Sequence, residues 1–247
     1  EAIGKTIKTI LGDLKDAIVR RRIIERKNYD AVNQLAIKGM PALREAFRNM
    51  LKSAYDAGME SAKPEVSKFA VFPTEAKAYE EVAQWLKNRV VYLADEEAEA
   101  LLKIAKGTLM DSIRTGASVK DTIAMLEDEF TAWDMMDSVG GGRIETIVRT
   151  NTLAAFNESR GQQFAKLGDA IIGYQYSAIM DSRTSDICMA LDKKFITPAE
   201  YDQFAPPNHY NCRSILVPIF HDEMEEADKL EEPPAVKREK GGFLTLK

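Results

Sequence analysis

Over residues 1–135 the apolar positions recur at helical spacing. Ile3, Ile7, Ile10, Leu14 and Ala17 alternate intervals of four and three, which lines them along one stripe of a helix. The next two stripe positions are Arg21 and Ile24, so the cluster Arg20-Arg21-Arg22 interrupts the apolar seam. Two readings stand side by side: a solvated turn of a long helix, or a nucleic-acid contact in which three guanidinium groups cover most of the helix circumference.

A second helix is expected from Tyr29 to Ala62, with Val32, Leu35, Met40, Leu43, Phe47, Leu51 and Ala54 inward. Pro64 and Pro73 then bracket a non-helical connection containing Phe69-Ala70-Val71-Phe72. A third helix runs from Thr74 to Arg114, carrying Val82, Trp85, Leu86, Val90, Leu93, Leu101 and Ile104, with Gly107 as an interruption and Gly116 as a stop. Ser118 opens a short helix with Asp121 in a capping-box arrangement, and Ile123, Leu126 and Phe130 form its apolar face.

The triplet Gly140-Gly141-Gly142 marks a hinge; no Gly-Lys-Ser/Thr follows it, so it is no phosphate loop. Beyond it the pattern changes. Arg143–Leu167 reads as one helix with Ile144, Ile147, Val148, Leu153, Phe156 and Phe164, stopped by Gly168. Ala170–Ile179 is the best strand candidate, with Ile172, Tyr174 and Tyr176 on one face, and Ile215–Phe220 is a second. Between them Asp181–Arg213 is turn-rich and reads as an ordered functional loop. From His221 the chain is acidic, then Pro-rich, and reads as an extended arm that orders only against a partner. The expected fold is mainly α (α+β): an elongated helical bundle over 1–139, a small α+β module with a short sheet and a Cys/His loop over 140–220, and a tail over 221–247.

Composition refines this picture little. Among 247 residues, 45% hydrophobic and 30% charged is ordinary for a globular chain, and a net charge of −5 argues against a surface built wholly for nucleic acid. No apolar run approaches the roughly 18–20 residues that cross a bilayer, so no membrane partner is expected. Residues Glu1–Asp13 mix charge into an amphipathic pattern unlike a secretory leader, and the lack of an initiator Met suggests a piece of a longer protein.

The candidate chemistry lies in the loop. Asp181-Ser182-Arg183-Thr184-Ser185-Asp186-Ile187-Cys188, continuing to Leu191-Asp192, is followed by Pro206-Pro207-Asn208-His209-Tyr210-Asn211-Cys212-Arg213. Cys188, His209 and Cys212 offer three soft or borderline metal ligands in two clusters, the donor set of a zinc knuckle, with Asp181 or Asp186 the nearby fourth candidates. The same residues also suit two buried thiols with a hydrogen-bonded histidine, or a Cys188–Cys212 disulfide. A Cys–His nucleophile pair lacks an orienting group.

The order Arg149-Thr150, Asn157, Tyr176, Asp-Ser-Arg-Thr-Ser…Cys…Leu-Asp, Pro-Pro-Asn-His-Tyr-Asn-Cys-Arg-Ser and Leu216-Val217-Pro218 resembles the Mu F-like phage head morphogenesis family over about Gly116 to Pro218. The resemblance implies a non-enzymatic minor head protein of the virion, in multiple though few copies, present in host cytoplasm during assembly. Its implied partners are the portal protein or major capsid protein; packaged DNA is a further candidate partner from the residues themselves, through Arg20, Arg21 and Arg22. The resemblance also gives Asp181, Arg183, Thr184, Cys188, Asp192, His209, Cys212 and Arg213 as motif positions of structural role, and Asp181 and Arg183 are expected to tie the loop together through charge-assisted hydrogen bonds. Many relatives carry further cysteines where Ser185 and Ser214 stand here, which weakens a four-ligand zinc site. Competing readings are a metal-dependent nuclease or an ADP-ribosyltransferase-like effector. The first needs a base histidine beyond the cluster, and only His221 remains.

Overall fold

The computed structural model describes residues 2–68, 76–135, 142–239 and 243–246, with the side chains of 76–83 and 135 left aside. The chain divides into two compact units, one of residues 1–50 and 83–146, the other of 51–82 and 147–247. The mainly α, α+β class holds. Helices α1 (Ala2–Arg20), α2 (Tyr29–Asn33), α3 (Met40–Val66), α4 (Ala76–Thr115), α5 (Val119–Met135) and α6 (Arg143–Ala165) precede the first strand.

The stripe of α1 is Ile3, Ile7, Ile10, Leu14 and Ile18, all buried; Ile18 takes the place expected of Ala17. The helix ends at Arg20 instead of running on through the arginines. The segment expected as one helix from Tyr29 is broken at residues 34–39, and α3 begins afresh at Met40. Pro64 sits inside α3, which continues to Val66. Burial of Ala62 and Val66 outweighs the one backbone hydrogen bond that proline forfeits. Gly107 does not interrupt α4, because the buried row Leu101, Ala105, Leu109 and Ile113 holds the helix through it. Gly116, at φ 73, does stop it.

Ser118 caps α5 as expected: its Oγ accepts from Asp121 N at 3.1 Å and donates to Asp121 Oδ2 at 2.7 Å. The expected connection at Phe69–Phe72 and Pro73, and the glycines Gly140 and Gly141, lie outside the described residues. The start of α6 is fixed by Asp134, whose Oδ1 accepts from Ile144 N at 3.0 Å. Arg143 reinforces that start, pairing with buried Glu97 at 3.3 Å and stacking over Trp133.

The second unit holds the sheet. Strands β1 (Ile171–Ser177), β2 (Phe195–Ile196) and β3 (Ile215–Phe220) are antiparallel in the order β2-β1-β3. Short helices α7 (Asp186–Leu191) and α8 (Tyr201–Phe204) lie in the segment between β1 and β3. The core gathers Tyr174 and Tyr176 of β1, Leu191 of α7, Phe204 of α8, Leu216 of β3 and Phe164 of α6. Residues after 220 differ from the expected free arm. Helix α9 (Met224–Ala227) and the hairpin β4 (Val236–Arg238) with β5 (Leu244–Leu246) follow, and Val236 and Leu244 are buried in this same core. Two apolar side chains at hairpin positions supply the anchor that the acidic, Pro-rich composition hides.

Candidate functional site

Helix α6 organises the loop from one side. Its expected apolar face, Ile144, Ile147, Val148, Leu153 and Phe156, is only half-buried, while Thr150, Asn151, Asn157, Ser159 and Arg160 are buried together with Phe164. The reason is that these polar groups meet backbone. Asn157 Nδ2 donates to the carbonyls of Pro206 at 3.3 Å and Ser214 at 3.2 Å. Thr150 Oγ1 accepts from Asn211 N at 2.9 Å. Arg160 reaches the Leu216 carbonyl on β3 at 3.4 Å, Ser61 Oγ at 2.7 Å and both oxygens of Glu65. A Cβ at Gly58 would overlap the Phe156 carbonyl oxygen and Ser159 Oγ, so α3 and α6 need glycine at their crossing.

The first half of the loop closes on itself. Asp181 Oδ1 accepts from Arg183 N at 2.8 Å, an Asx turn. Thr184 Oγ1 accepts from Asp181 N at 2.8 Å and donates to the Ile179 carbonyl at 2.7 Å. Ser185 then caps α7, accepting from Cys188 N at 3.4 Å. After α7, Asp192 Oδ1 accepts from Ala178 N at 2.9 Å and ties the two ends of the excursion together.

The second half is bound to the first by a fork. Arg213 meets Asp181 in two hydrogen bonds of 2.7 and 2.6 Å. The Arg183 guanidinium stands 3.6 Å from that carboxylate and serves the turn chiefly through its backbone. The hydrogen bond from Arg213, then the Arg183 N–H, hold the Asp181 carboxyl well below the usual carboxylate range. Arg213 is raised in turn by Asp181.

At the centre, Cys188, His209 and Cys212 place their ligand atoms within 4.8 Å of one another. Cys188 Sγ lies 3.1 Å from His209 Nε2 and 3.8 Å from Cys212 Sγ. The thiols are free and buried, and the imidazole is half-buried. Tyr176 Oη at 3.3 Å and Ser214 Oγ at 3.2 Å complete the surroundings of Cys188 Sγ. Asn208, fully buried just after the cis Pro206–Pro207 bond, donates to Tyr176 Oη at 3.0 Å and to the Phe204 carbonyl at 2.9 Å.

These contacts polarise the cluster. The hydrogen bond with Cys212, followed by those of His209, Ser214 and Tyr176, holds the Cys188 thiol well below its ordinary value against the opposing effect of burial. The same Cys188 hydrogen bond, with burial, pushes Cys212 up. Burial alone would lower His209, but the hydrogen bond to Cys188, its charge and the Tyr210 carbonyl raise it. Burial, then the charges of the two cysteines, raises Tyr176. These shifts run in opposite senses at the two thiols, down at Cys188 and up at Cys212, with His209 raised beside the first.

The donor set also fits a borderline divalent cation. Two thiolates on a tetrahedral zinc at about 2.3 Å stand roughly 3.8 Å apart, the separation seen here. His209 Nδ1 faces the Tyr210 carbonyl at 2.7 Å, which leaves Nε2 for a metal. Ser214 Oγ is a hydroxyl 3.2 Å from Cys188 Sγ, so the described residues offer three protein ligands to such an ion. Asp186 caps no such site: it opens α7 and is exposed, and Asp181 is taken by Arg213.

The sequence points to the cysteines and the histidine and to an Asp181–Arg183 tie; Arg213 instead makes the close fork to Asp181, because the loop folds back on itself. Sequence reasoning missed Arg160, Asn208 and Ser214 as ties of the module; polar residues at core-facing helix positions of α6 are the signal that points to the first. Arg20, Arg21 and Arg22 belong to the other unit, at the exposed C-terminal end of α1.

The site is thus a small antiparallel sheet carrying a loop tied into a knot by side-chain-to-backbone bonds, with a thiol–imidazole cluster at its centre. Residues 103–217 match the family described as Phage Mu protein F like protein, so that stretch is similar to Mu F-like phage proteins. The family is one of phage head morphogenesis and structural in character. No curated protein and no solved structure matches the chain significantly. No helix among the described residues is long and apolar enough to cross a membrane.

Proposed function

We propose that the chain is a structural minor head protein of a tailed phage, which binds the portal, the inner capsid surface or both and acts in head assembly or in DNA packaging and delivery. The observation that carries this reading is the Mu F-like match over 103–217, which covers the whole knot. The use of the knot's polar groups supports it: Asp181, Thr184, Asp192, Asn208 and Arg213 each bind another group of the same module. A nuclease would need a free base histidine. His221 instead has Nε2 3.0 Å from the Asp169 carbonyl oxygen. The protein then resides in the virion head or at the portal vertex, and in host cytoplasm during assembly. Deleting its gene, with complementation in trans, tests the role: a fall in infectious particles restored by the wild-type chain supports it, and undiminished yield refutes it.

We also propose that zinc, held by Cys188, His209 and Cys212 with a water, reinforces the knot and has no part in chemistry. About one zinc per chain by elemental analysis, with a melting temperature lowered by chelator, is the expected result. A metal-free chain of unchanged melting temperature would leave the hydrogen-bonded cluster as the resting form.

A further inference from the structure

The end of α1 carries two consecutive helix-stop motifs with cations where glycine is the usual residue. In the first, Ile23 N bonds to the Ile18 carbonyl at 3.2 Å and Arg22 N to that of Val19 at 3.1 Å, with Arg22 left-handed at φ 47. In the second, Asn28 N bonds to the Ile23 carbonyl at 3.0 Å and Lys27 N to that of Ile24 at 3.1 Å, with Lys27 at φ 49. Both are Schellman stops, whose left-handed residue is ordinarily glycine because a Cβ is strained there. Ile18 and Ile23 are wholly buried and pin the turn, so Arg20, Arg21, Arg22, Arg26 and Lys27 all stay exposed.

Four of these cations line one notch of about 370 Å³ with Asn28, Ala31 and Gln34, and no acidic residue lines it. Arg20 is paired with Asp16 at 2.7 Å; among the described residues Arg21, Arg22 and Arg26 have no ionic partner. A guanidinium is a planar fork matched to phosphate oxygens. One phosphate neutralises at most two charges, whereas a strand of phosphodiesters meets several in succession. The chain as a whole carries −5, so this concentration of positive charge is local.

We propose that this notch is a sequence-independent binding site for the phosphate backbone of DNA, centred on Arg21, Arg22 and Arg26 with Lys27 beside them. It stands apart from the head-protein reading and survives or fails without it. The contacts are ionic, so affinity falls with salt, with a log–log slope of about −0.9 for each phosphate engaged.

The test uses the full chain and a fluorescent duplex of scrambled sequence, titrated by anisotropy over a range of salt. Wild type is expected to bind equally to a second, unrelated duplex, with a slope of about −3 that Arg21→Ala/Arg26→Ala weakens by roughly two contacts. The double variant Arg22→Gly/Lys27→Gly is the sharper arm. It relieves both left-handed positions, so its melting temperature rises while DNA affinity and salt slope fall. A rise in melting temperature with unchanged DNA binding would overturn the proposal. So would displacement of the duplex by inorganic phosphate at matched ionic strength, which would mark a lone-anion site.

Discussion

In the first unit the buried positions are mostly aliphatic or aromatic, from Ile3 and Ile18 on α1 to Leu101 and Leu109 on α4 and Phe130 on α5. In the second unit the longest helical run, α6, buries Thr150 and Asn157 against the loop, Arg160 against β3 and α3, and Asn151 and Ser159 on carbonyls of its own backbone. The first arrangement is held by area removed from water, which is non-directional and tolerates swaps of similar volume. The second is held by directional bonds to backbone and side-chain groups, so identity matters more than volume. The loop combines both: Ile187, Leu191, Ile196 and Phe204 enter the core, while Asp181, Thr184 and Asp192 close its turns by directional bonds.

The comparison breaks most readily at Arg160. Its guanidinium is almost wholly buried beside Glu65. Arg160→Ala should cost about 3–5 kcal/mol in urea denaturation, because it leaves Glu65, Ser61 and the Leu216 carbonyl without their partner, and Arg160→Met, which restores the volume, should recover little of that loss. Full recovery by methionine would remove the directional account. Leu101→Ala, in the other unit, should cost about 2–5 kcal/mol through its cavity, while Leu101→Met should cost under about 1.5 kcal/mol. Asn157→Ala should lose about 1–3 kcal/mol, and Asn157→Leu, similar in volume, should be no better. Equal rescue by leucine would mean that volume, not bonding, governs α6.

Smaller effects come from titration. In the metal-free protein the raised His209 contributes fully below the ordinary imidazole value of about 6.5 and loses that contribution as pH rises through its raised value. Cys188, lowered, contributes fully above the ordinary thiol range and loses it as pH falls through its lowered value. A Cys188–His209 ion pair would be complete only between those two values. Thiolate absorbance persisting into acid, and lost in Cys188→Ser but kept in Cys212→Ser, is the expected signature; loss only in Cys212→Ser would reverse the assignment. Asp181→Asn should have the smallest effect, since Asp181 is exposed. The Asp181 contribution is complete above the ordinary carboxylate range and fades as pH falls through its lowered value, so the variant should matter near neutrality and vanish in strong acid.

Helical periodicity made the stripes of α1, α4 and α5 legible, along with Ser118 as a cap, because those features are local in sequence. The break at residues 34–39 and the passage of α4 through Gly107 were not, since tertiary burial decided them. In the site, residue types pointed to Cys188, His209 and Cys212, and the structure brings them together. That Asp181 bonds Arg213 more closely than Arg183 depends on a fold-back across the loop. The polar face of α6 was hidden for the same reason: a buried arginine or asparagine looks like a surface residue until its carbonyl partners are in place. Val236 and Leu244 escaped notice because two apolar anchors do not alter the composition of a tail.

The head-protein reading is tested most directly by the protein composition of purified, DNA-filled heads, measured by quantitative mass spectrometry. The account predicts this chain among the head proteins, at far fewer copies than the major capsid protein and retained through density-gradient purification. Its absence from heads that assemble normally in cells expressing it would contradict the account.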